Sequence, residues 1–403
     1  MKRQRTFDIV VAGGGMSGSL FAGVMARTGA NVLLVEKEEH FRDRIRGESV
    51  FPWGVAEIDR LGIRDVFDRA GAVEIAGLRS FENRHPADPY YWSSDSIGGL
   101  AMLGFEHAPL QESAIAWAAE QGATILRPAK VTNIEQNNQR PMVGISRAGV
   151  ESNVRTRLIV GADGKSGASR RWTGGASQAD LKHHLLGGVM VAGIDWPERL
   201  VDMASDAGSV CYWFPVSHLH TRIFLALTPA QHAEIGVAAS FDNFMSVVGM
   251  SDRRTIFTCR AGRPRLAFSQ SMHLGNSRNG PDGRADRRPV HSIRLRGTAH
   301  PICCGTFVCL RTSSRQKLTG GRPPSSLLAR ELRRSTFSGL YDRWMASMRP
   351  DHRAEAGALR DGHLRAIEAD PALGGWRLLS ARGPESLVAD EAARRHFFGE
   401  DLL

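Results

Sequence analysis

The chain has 403 residues, of which 42% are hydrophobic and 23% charged, so it is long enough for two or three domains with sizeable cores. No apolar run reaches the roughly 18 residues needed to cross a bilayer, which predicts no membrane span. The basic N-terminus leads straight into a strand without a cleavage site, so we expect a cytoplasmic protein without a signal peptide. Five cysteines, an odd number, argue against a disulfide scaffold.

The formal net charge of +10 would suit a nucleic-acid binder, but the excess is confined to one segment. Residues 258–330 hold thirteen Arg and one Lys against two Asp, a net charge of +12, and the rest of the chain carries a net charge of −2. We therefore expect no nucleic-acid partner. In this segment three cysteines follow His300, but their spacing matches no standard zinc site, so no metal is predicted.

The N-terminal third has the pattern of a βαβ unit. Thr6–Ala12 is a short apolar run typical of a buried parallel strand, and a helix-compatible stretch follows through Arg27. A second strand is predicted over Asn31–Val35. Two further helices are indicated, one around Val55–Leu61 and one that starts near Pro109 and ends before Gly122.

Strand-like segments dominate the middle of the chain. They are predicted at 123–126, 131–135, 142–147 and 154–160. Residues 185–228 alternate short apolar runs with turns, which suits a mostly antiparallel sheet. Residues 331–403 have the charged, helix-compatible pattern of a tail.

The turn after the first strand carries a nucleotide-binding fingerprint. Residues 13–18 read Gly-Gly-Gly-Met-Ser-Gly and satisfy G-x-G-x-x-G. Gly13 permits the tight turn, Gly15 lets the backbone approach a pyrophosphate, and Gly18 allows close packing of helix on strand. The phosphates then lie at the helix N-terminus. Glu36, at the end of the second strand, is placed to accept hydrogen bonds from ribose hydroxyls.

A charged loop precedes the helix around Val55–Leu61. It reads Arg-Ile-Arg-Gly-Glu-Ser over residues 44–49. An arginine such as Arg46 and an acid in this loop are positioned to face the cofactor or its phosphates. A solvated charged loop is the alternative, and the sequence leaves both open.

A second motif gives the sharper signal. Residues 161–171 read Gly-Ala-Asp-Gly-Lys-Ser-Gly-Ala-Ser-Arg-Arg and follow an apolar strand. With the first fingerprint, this motif makes the chain resemble the class A flavoprotein monooxygenases. These are the p-hydroxybenzoate hydroxylase-like family, to which FAD-dependent halogenases and geranylgeranyl reductases are related. The resemblance is good through about residue 257.

The resemblance implies roles for individual residues. Asp163 would touch the flavin side and Arg170 would support it. The backbone of a strand residue before the second motif would meet the adenine, and Val131 is the best match, although an ordinary core valine fits that position as well. The predicted cofactor contacts are Gly13, Gly15, Ser17, Gly18, Glu36, Lys37, Arg46, Val131 and Asp163.

The implied fold is α/β, with a Rossmann-type FAD-binding domain, a smaller antiparallel β-sheet substrate domain and a helical C-terminal tail. The predicted domain bounds are 1–175 for the FAD-binding domain, interrupted by a substrate-sheet segment at 75–105; 176–257 for the substrate domain; 258–330 for an anomalous basic segment where the second half of the FAD domain belongs; and 331–403 for the helical C-terminal region.

The implied function is hydroxylation of a small organic substrate by an NAD(P)H- and O2-dependent FAD monooxygenase. The pattern names no catalytic residue and no oligomeric state. A reductase of the geranylgeranyl reductase type is one alternative. A halogenase is less well supported, because the Trp-x-Trp-x-Ile-Pro motif of halogenases is replaced by Tyr-Trp-Phe-Pro at 212–215. We expect Trp213 and Phe214 to pack in the core.

The third motif of the family, a Gly-Asp followed by small residues, belongs within 258–330. No Gly-Asp occurs there, and Gly297-Thr298-Ala299-His300 matches the motif only poorly, with Thr298 in the position of the acid. Periodicity stops and the charge rises abruptly, as a shifted reading frame would produce; a genuine basic insertion is the competing interpretation. If the motif is missing, the chain is an inactive product, which is a third functional alternative.

Overall fold

The computed structural model describes residues 5–44, 46–82, 85–135, 140–164, 167–172, 185–192, 198–206 and 209–235, together with the backbone of 267–270 and 292–294. The helical tail expected over 331–403 and most of the basic segment lie outside the described residues. Within the described residues, no helix is both long and apolar enough to cross a membrane.

Elements are numbered in chain order. The strands are β1 (Thr6–Ala12), β2 (Val32–Val35), β3 (Ser49–Val50), β4 (Val73–Ile75), β5 (Gly77–Glu82), β6 (His85–Pro86), β7 (Tyr90–Tyr91), β8 (Met102–Gly104), β9 (Thr124–Leu126), β10 (Lys130–Glu135), β11 (Met142–Arg147), β12 (Val150–Gly161), β13 (Leu185–Ala192), β14 (Leu200–Asp206), β15 (Ser209–Pro215), β16 (His220–Leu227), β17 (Ala267–Gln270) and β18 (Ser292–Arg294). The α-helices are α1 (Met16–Arg27), α2 (Pro52–Leu61), α3 (Arg64–Arg69), α4 (His107–Glu120), α5 (Ser169–Trp172) and α6 (Pro229–Ile235).

The first sheet has the strand order β10-β11-β12-β1-β2-β9. β1 lies between two parallel neighbours, and its last residue, Ala12, pairs with Val35 of β2 and with Gly161 of β12. β12 is long enough to pair antiparallel with β11 through its first half and parallel with β1 through its second. Three strands therefore end at one edge of the sheet, where nucleotides bind in open α/β folds.

Alternation along β1 explains how both faces of this sheet are covered. Ile9 and Val11 belong to a buried cluster with side chains of α1 and α4. Val10 and Ala12, on the opposite face, belong to a cluster with residues of β10 and β11. Because successive side chains of a strand point to opposite faces, a run of apolar residues such as β1 is stable only where both faces are buried.

The second sheet has the order β17-β13-β16-β15-β14-β5-β6, with β7 also paired to β5. Most pairs are antiparallel, but β14 runs parallel to β5. The strands β5 to β7 come from residues 77–91, inside the sequence of the first domain. The chain therefore leaves the nucleotide domain early, builds one edge of the second sheet, and returns.

An aromatic face of the second sheet packs against the first domain. Tyr212, Phe214 and Phe224 are buried in one cluster with Phe51 and Trp92. Tyr212 and Phe224 stack with ring centroids 5.0 Å apart. The predicted packing role of Phe214 agrees with its burial, and so does that of Trp213 on the other face of the sheet.

Two short strands fall inside the basic segment. β17 pairs antiparallel with β13 in the second sheet. β18 pairs in parallel with the end of β12, with Arg294 opposite Gly161. The sequence pattern indicated neither strand.

Candidate cofactor site

The glycine loop between β1 and α1 sits directly against the second motif. Gly13 has φ +103°, a conformation that favours glycine, and its N–H donates to the carbonyl of Val35 at 2.8 Å. A Cβ at Gly13 would overlap the carbonyl of Ala162 and lie 2.8 Å from the Cα of Asp163. A Cβ at Gly18 would overlap the carbonyl oxygen of Gly13. These two glycines are therefore required by the packing of the protein on itself.

Gly15 is different, because the space beside it is open. It precedes α1 with φ −62°, which any residue adopts, and no side chain caps the helix there. Among the described residues, a Cβ at Gly15 would meet only the Nε2 of Gln111, at 3.6 Å. Ser17 lies in the first turn of the same helix. The open space faces a helix N-terminus, whose free N–H groups favour an anion such as a pyrophosphate.

Glu36 marks the other end of the candidate site. Its carboxylate is buried and accepts hydrogen bonds from the backbone N–H of Gly14 at 2.6 Å and of Glu38 at 2.8 Å. A Cβ at Gly14 would lie 2.8 Å from the Cβ of Glu36, so the middle glycine makes room for this acid. The sequence pattern missed that role. The glycine loop and the acid thus form one rigid unit.

The segment after Glu36 is clamped by Arg127. The Arg127 guanidinium donates to both carboxylate oxygens of Glu112 at 2.7 and 2.8 Å and to the carbonyl of Glu38 at 2.7 Å. It also lies over the ring of Phe41, 4.4 Å from its centroid. The bidentate pair with Arg127 lowers the pKa of Glu112. The clamp fixes the direction in which the chain leaves the end of β2.

Lys37 and Val131 flank the acid. The Lys37 side chain is exposed, and its Nζ lies 3.9 Å from a Glu38 oxygen. Val131 is buried in the cluster on one face of the first sheet. It lies two residues after Ala129, whose N–H donates to the Glu36 carbonyl at 2.7 Å. Its position is compatible with both the adenine contact and the core role that the sequence left open.

Asp163 is bound to its own motif. Its carboxylate accepts hydrogen bonds from the backbone N–H of Ser169 at 2.9 Å and from the Ser169 hydroxyl at 2.5 Å. A Cβ at Gly167 would overlap this carboxylate. Asp163 therefore shapes the turn that follows β12, on the opposite side of the glycine loop from Glu36. The side chain of Arg170 lies outside the described residues.

The charged loop at 43–50 is anchored by a buried ion pair. The Arg222 guanidinium, on β16, donates to the two carboxylate oxygens of Glu48 at 2.6 and 2.7 Å and to Asp43 at 2.7 Å. The side chains of Arg222 and Glu48 are 1% and 0% exposed. Of the two charges expected to face the cofactor, the acid Glu48 is thus bound to Arg222. Arg46 is exposed.

A buried histidine supports the same loop. His107, the first residue of α4, places Nδ1 3.2 Å from the carbonyl oxygen of Gly47. Burial, together with the positive charge of Arg46, lowers the pKa of His107 from 6.5 to about 4. Burial raises the pKa of Glu48 to about 7, while Arg222 favours its ionised form. The histidine is therefore neutral at physiological pH.

The dinucleotide FAD fits this arrangement. The open helix N-terminus at Gly15 suits the pyrophosphate, and Glu36 lies on the β2 side, where an adenosine ribose belongs. Asp163 and the loop at 43–50 remain for the flavin half. Sequence patterns pointed to the loop and both motifs, but not to Arg222, His107, Gln111 or Arg127, which carry no local signature.

Replacing Gly15 with Val should remove FAD while leaving the protein folded. The valine side chain would fill the open space, so FAD affinity should fall at least about 100-fold, or about 3 kcal/mol. The free energy of unfolding should fall by less than about 1 kcal/mol, since Gly15 has an ordinary φ. Gly18→Val is the matched control, because its clash is with the Gly13 carbonyl and should destabilise the fold. Unchanged flavin content in Gly15→Val would contradict the assignment.

His107 should make the fold sensitive to acid. Because its pKa is lower in the folded chain than the unfolded value of 6.5, the unfolded chain binds more protons between about pH 4 and 6.5. Lowering the pH to 4.5 should therefore remove about 2–3 kcal/mol of stability through His107. Urea unfolding of the wild type and of His107→Gln at pH 7.5 and 4.5 measures this. Equal acid losses in the two proteins would show that His107 is not the group responsible.

Parts of the chain are similar in sequence to known monooxygenases. The chain is 34% identical to squalene monooxygenase of Candida glabrata over 91 residues, 22% of this chain and 19% of that protein. It is 29% identical to 6-methylpretetramide 4-monooxygenase of Streptomyces rimosus over 170 residues, 41% of this chain and 40% of that protein. The match thus spans about a fifth of the length of the squalene monooxygenase.

A solved structure shares the fold. The myxobacterial chondrochloren halogenase CndH, an FAD-dependent halogenase, aligns with a TM-score of 0.65 and 16% identity, covering 98% of this chain and 97% of that one. A family model described as an FAD binding domain matches residues 6–243. This match confirms the resemblance predicted from the two motifs. Because it covers more than half of the sequence, the chain belongs to the FAD binding domain family of flavoproteins.

Proposed function

We propose that this chain is an FAD-dependent monooxygenase that uses NAD(P)H and O2 to hydroxylate a small organic substrate. The observation that carries the proposal is the glycine loop, where the described residues leave space beside Gly15 while Gly14 contacts Glu36 and Gly13 contacts the Asp163 turn. The relatives named above include two monooxygenases whose names give squalene and 6-methylpretetramide as their substrates.

The proposed site has two groups of residues, one for the adenosine half of FAD and one for the flavin half. Backbone N–H groups at the start of α1 would bind the pyrophosphate, since those of Gly13 and Gly14 already donate to Val35 and Glu36. Glu36 would accept hydrogen bonds from the adenosine ribose. Arg46 and the turn at Asp163 serve the flavin half. When bound, FAD supplies the redox chemistry: it accepts a hydride from NAD(P)H and activates O2.

The protein contributes orientation and exclusion of water. The aromatic face of the second sheet, with Tyr212, Phe214 and Phe224, is buried and apolar. Its side chains pack against Phe51 and Trp92, so this face forms core between the second sheet and the first domain. We assign no general acid or base to a residue of this chain.

A second possibility has a specific observation behind it. The family match ends at residue 243, before the basic segment that lacks the Gly-Asp of the third motif. A chain without that motif would lose hydrogen-bond donors beside the flavin and would bind FAD weakly. One observation argues against this possibility. β18 joins the first sheet beside β12, which is where a strand leading to a third motif belongs.

Oxygen consumption separates the candidate reactions. The purified chain should show a flavin spectrum, and it should oxidise NAD(P)H with uptake of O2 when squalene or 1-naphthol is added as a substrate probe. A reductase of the geranylgeranyl type would instead saturate a double bond without O2. A chain that retains no flavin, and binds none on addition of FAD, would identify it as an inactive product.

Limited proteolysis tests the basic segment. We propose that residues 258–330 do not form the native second half of the flavin domain. Rapid cleavage inside 258–330 with and without FAD, and less than one flavin per chain, is then expected. The intact 1–235 portion serves as the internal control. A protease-resistant segment with one tightly bound FAD per chain would show that 258–330 completes the domain.

A further inference from the structure

The ion-pair cluster of Asp43, Glu48 and Arg222 joins two parts of the fold that are far apart in sequence. Arg222 belongs to β16 of the second sheet, whereas Asp43 and Glu48 belong to the loop that follows β2 of the first. The Arg222–Glu48 pair spans 174 residues. We call these three residues the latch. It connects the substrate sheet directly to the loop that leaves the nucleotide site.

The buried end of the latch is rigid. A bidentate Arg–carboxylate pair fixes both the distance and the plane of the two groups, which a lysine at the same position cannot do. Glu48 is also held through its backbone, because its carbonyl accepts a hydrogen bond from the N–H of Phe105 at 2.9 Å. Ser49, the next residue, pairs with Gly104 in β8. The position of Glu48 is thus set by the second sheet, through Arg222, and by the short three-stranded sheet β3-β8-β4.

The other end of the loop is exposed and charged. Arg46 lies two residues before Glu48, near enough to His107 for its charge to lower the pKa of that histidine. Gly47, between them, is buried and accepts the contact from His107. Arg46 thus lies between Asp43 and Glu48 in sequence, both of which pair with Arg222. A group bound by Arg46 is therefore held at a defined position relative to the second sheet, through Glu48 and Arg222.

We propose that the latch positions the loop at 43–50, and Arg46 within it, against the flavin half of FAD. The second sheet and the flavin are then held in a fixed relative position. This inference rests on the FAD site of the proposed function. The adenosine half does not depend on the latch, because Glu36 and the glycine loop are fixed by β1, β2 and Arg127. Arg222 is thus a positioning residue.

The chain offers a matched control for this idea. Arg79, on β5, makes a similar bidentate pair with Asp202 on β14, with distances of 2.8 and 3.0 Å. Both partners lie within the second sheet, and neither is part of the loop at 43–50. Arg222→Lys and Arg79→Lys therefore make the same chemical change in the same sheet, and only the first affects the latch.

The test compares FAD with ADP, which carries the adenosine and pyrophosphate but no flavin. At pH 8, Arg222→Lys should weaken FAD at least ten-fold, change ADP affinity by less than two-fold, and alter the visible circular dichroism of the bound flavin. Asp43→Asn, which removes the exposed arm, should give a smaller change of the same kind. Arg79→Lys should leave both affinities and the spectrum unchanged.

Several outcomes would overturn the latch. These are unchanged FAD affinity in Arg222→Lys, a parallel loss of FAD and ADP, an equal effect of Arg79→Lys, or a wild-type chain that binds ADP but not FAD. If Arg222→Lys does not fold, the double variant Glu48→Leu/Arg222→Met removes both buried charges together and should keep ADP binding but not FAD affinity. A wild type that binds FAD yet hydroxylates nothing would refute the proposed reaction and leave the latch result intact.

Discussion

The parallel pairing of β1 with both β2 and β12 is the constraint on which the candidate site depends. It brings the ends of three strands to one edge of the sheet, so that the glycine loop, Glu36 and Asp163 become neighbours although they span 150 residues of sequence. The pairing is tight enough that a single methyl group at Gly13 would collide with the Ala162 carbonyl. The glycine fingerprint therefore records two requirements, close packing of protein on protein and open space for a ligand.

These requirements fall on different glycines. Gly13 and Gly18 meet the backbone of the second motif and of the loop itself, and Gly14 meets Glu36. Among the described residues, Gly15 has only the Gln111 side chain nearby, at 3.6 Å. The sequence pattern already distinguished the roles of Gly13, Gly15 and Gly18, and the structure adds that Gly14 makes room for Glu36.

Local signals were sufficient for most of the first domain. β1 and β11 have the predicted bounds, α1 ends at the predicted Arg27, and α4 begins at His107, two residues before the predicted Pro109. The two-residue strand β3 and the three-residue strand β8 were not foreseen, because they are too short for a periodicity. Arg222 was also missed, because its structural role depends on ion-pair partners that lie 174 and 179 residues away in sequence.

The two halves of a dinucleotide site thus have different origins in this fold. The adenosine half is built from β1, β2 and the clamp of Arg127, all within the first 127 residues. In the site that we propose, the flavin half would depend on the loop at 43–50, on β12 and, through Arg222, on the second sheet. Because FAD bridges both halves, its binding energy adds to the stability of the contact between the domains. A buried charge pair at that contact is costly to break, so the two domains resist separation even before the cofactor binds.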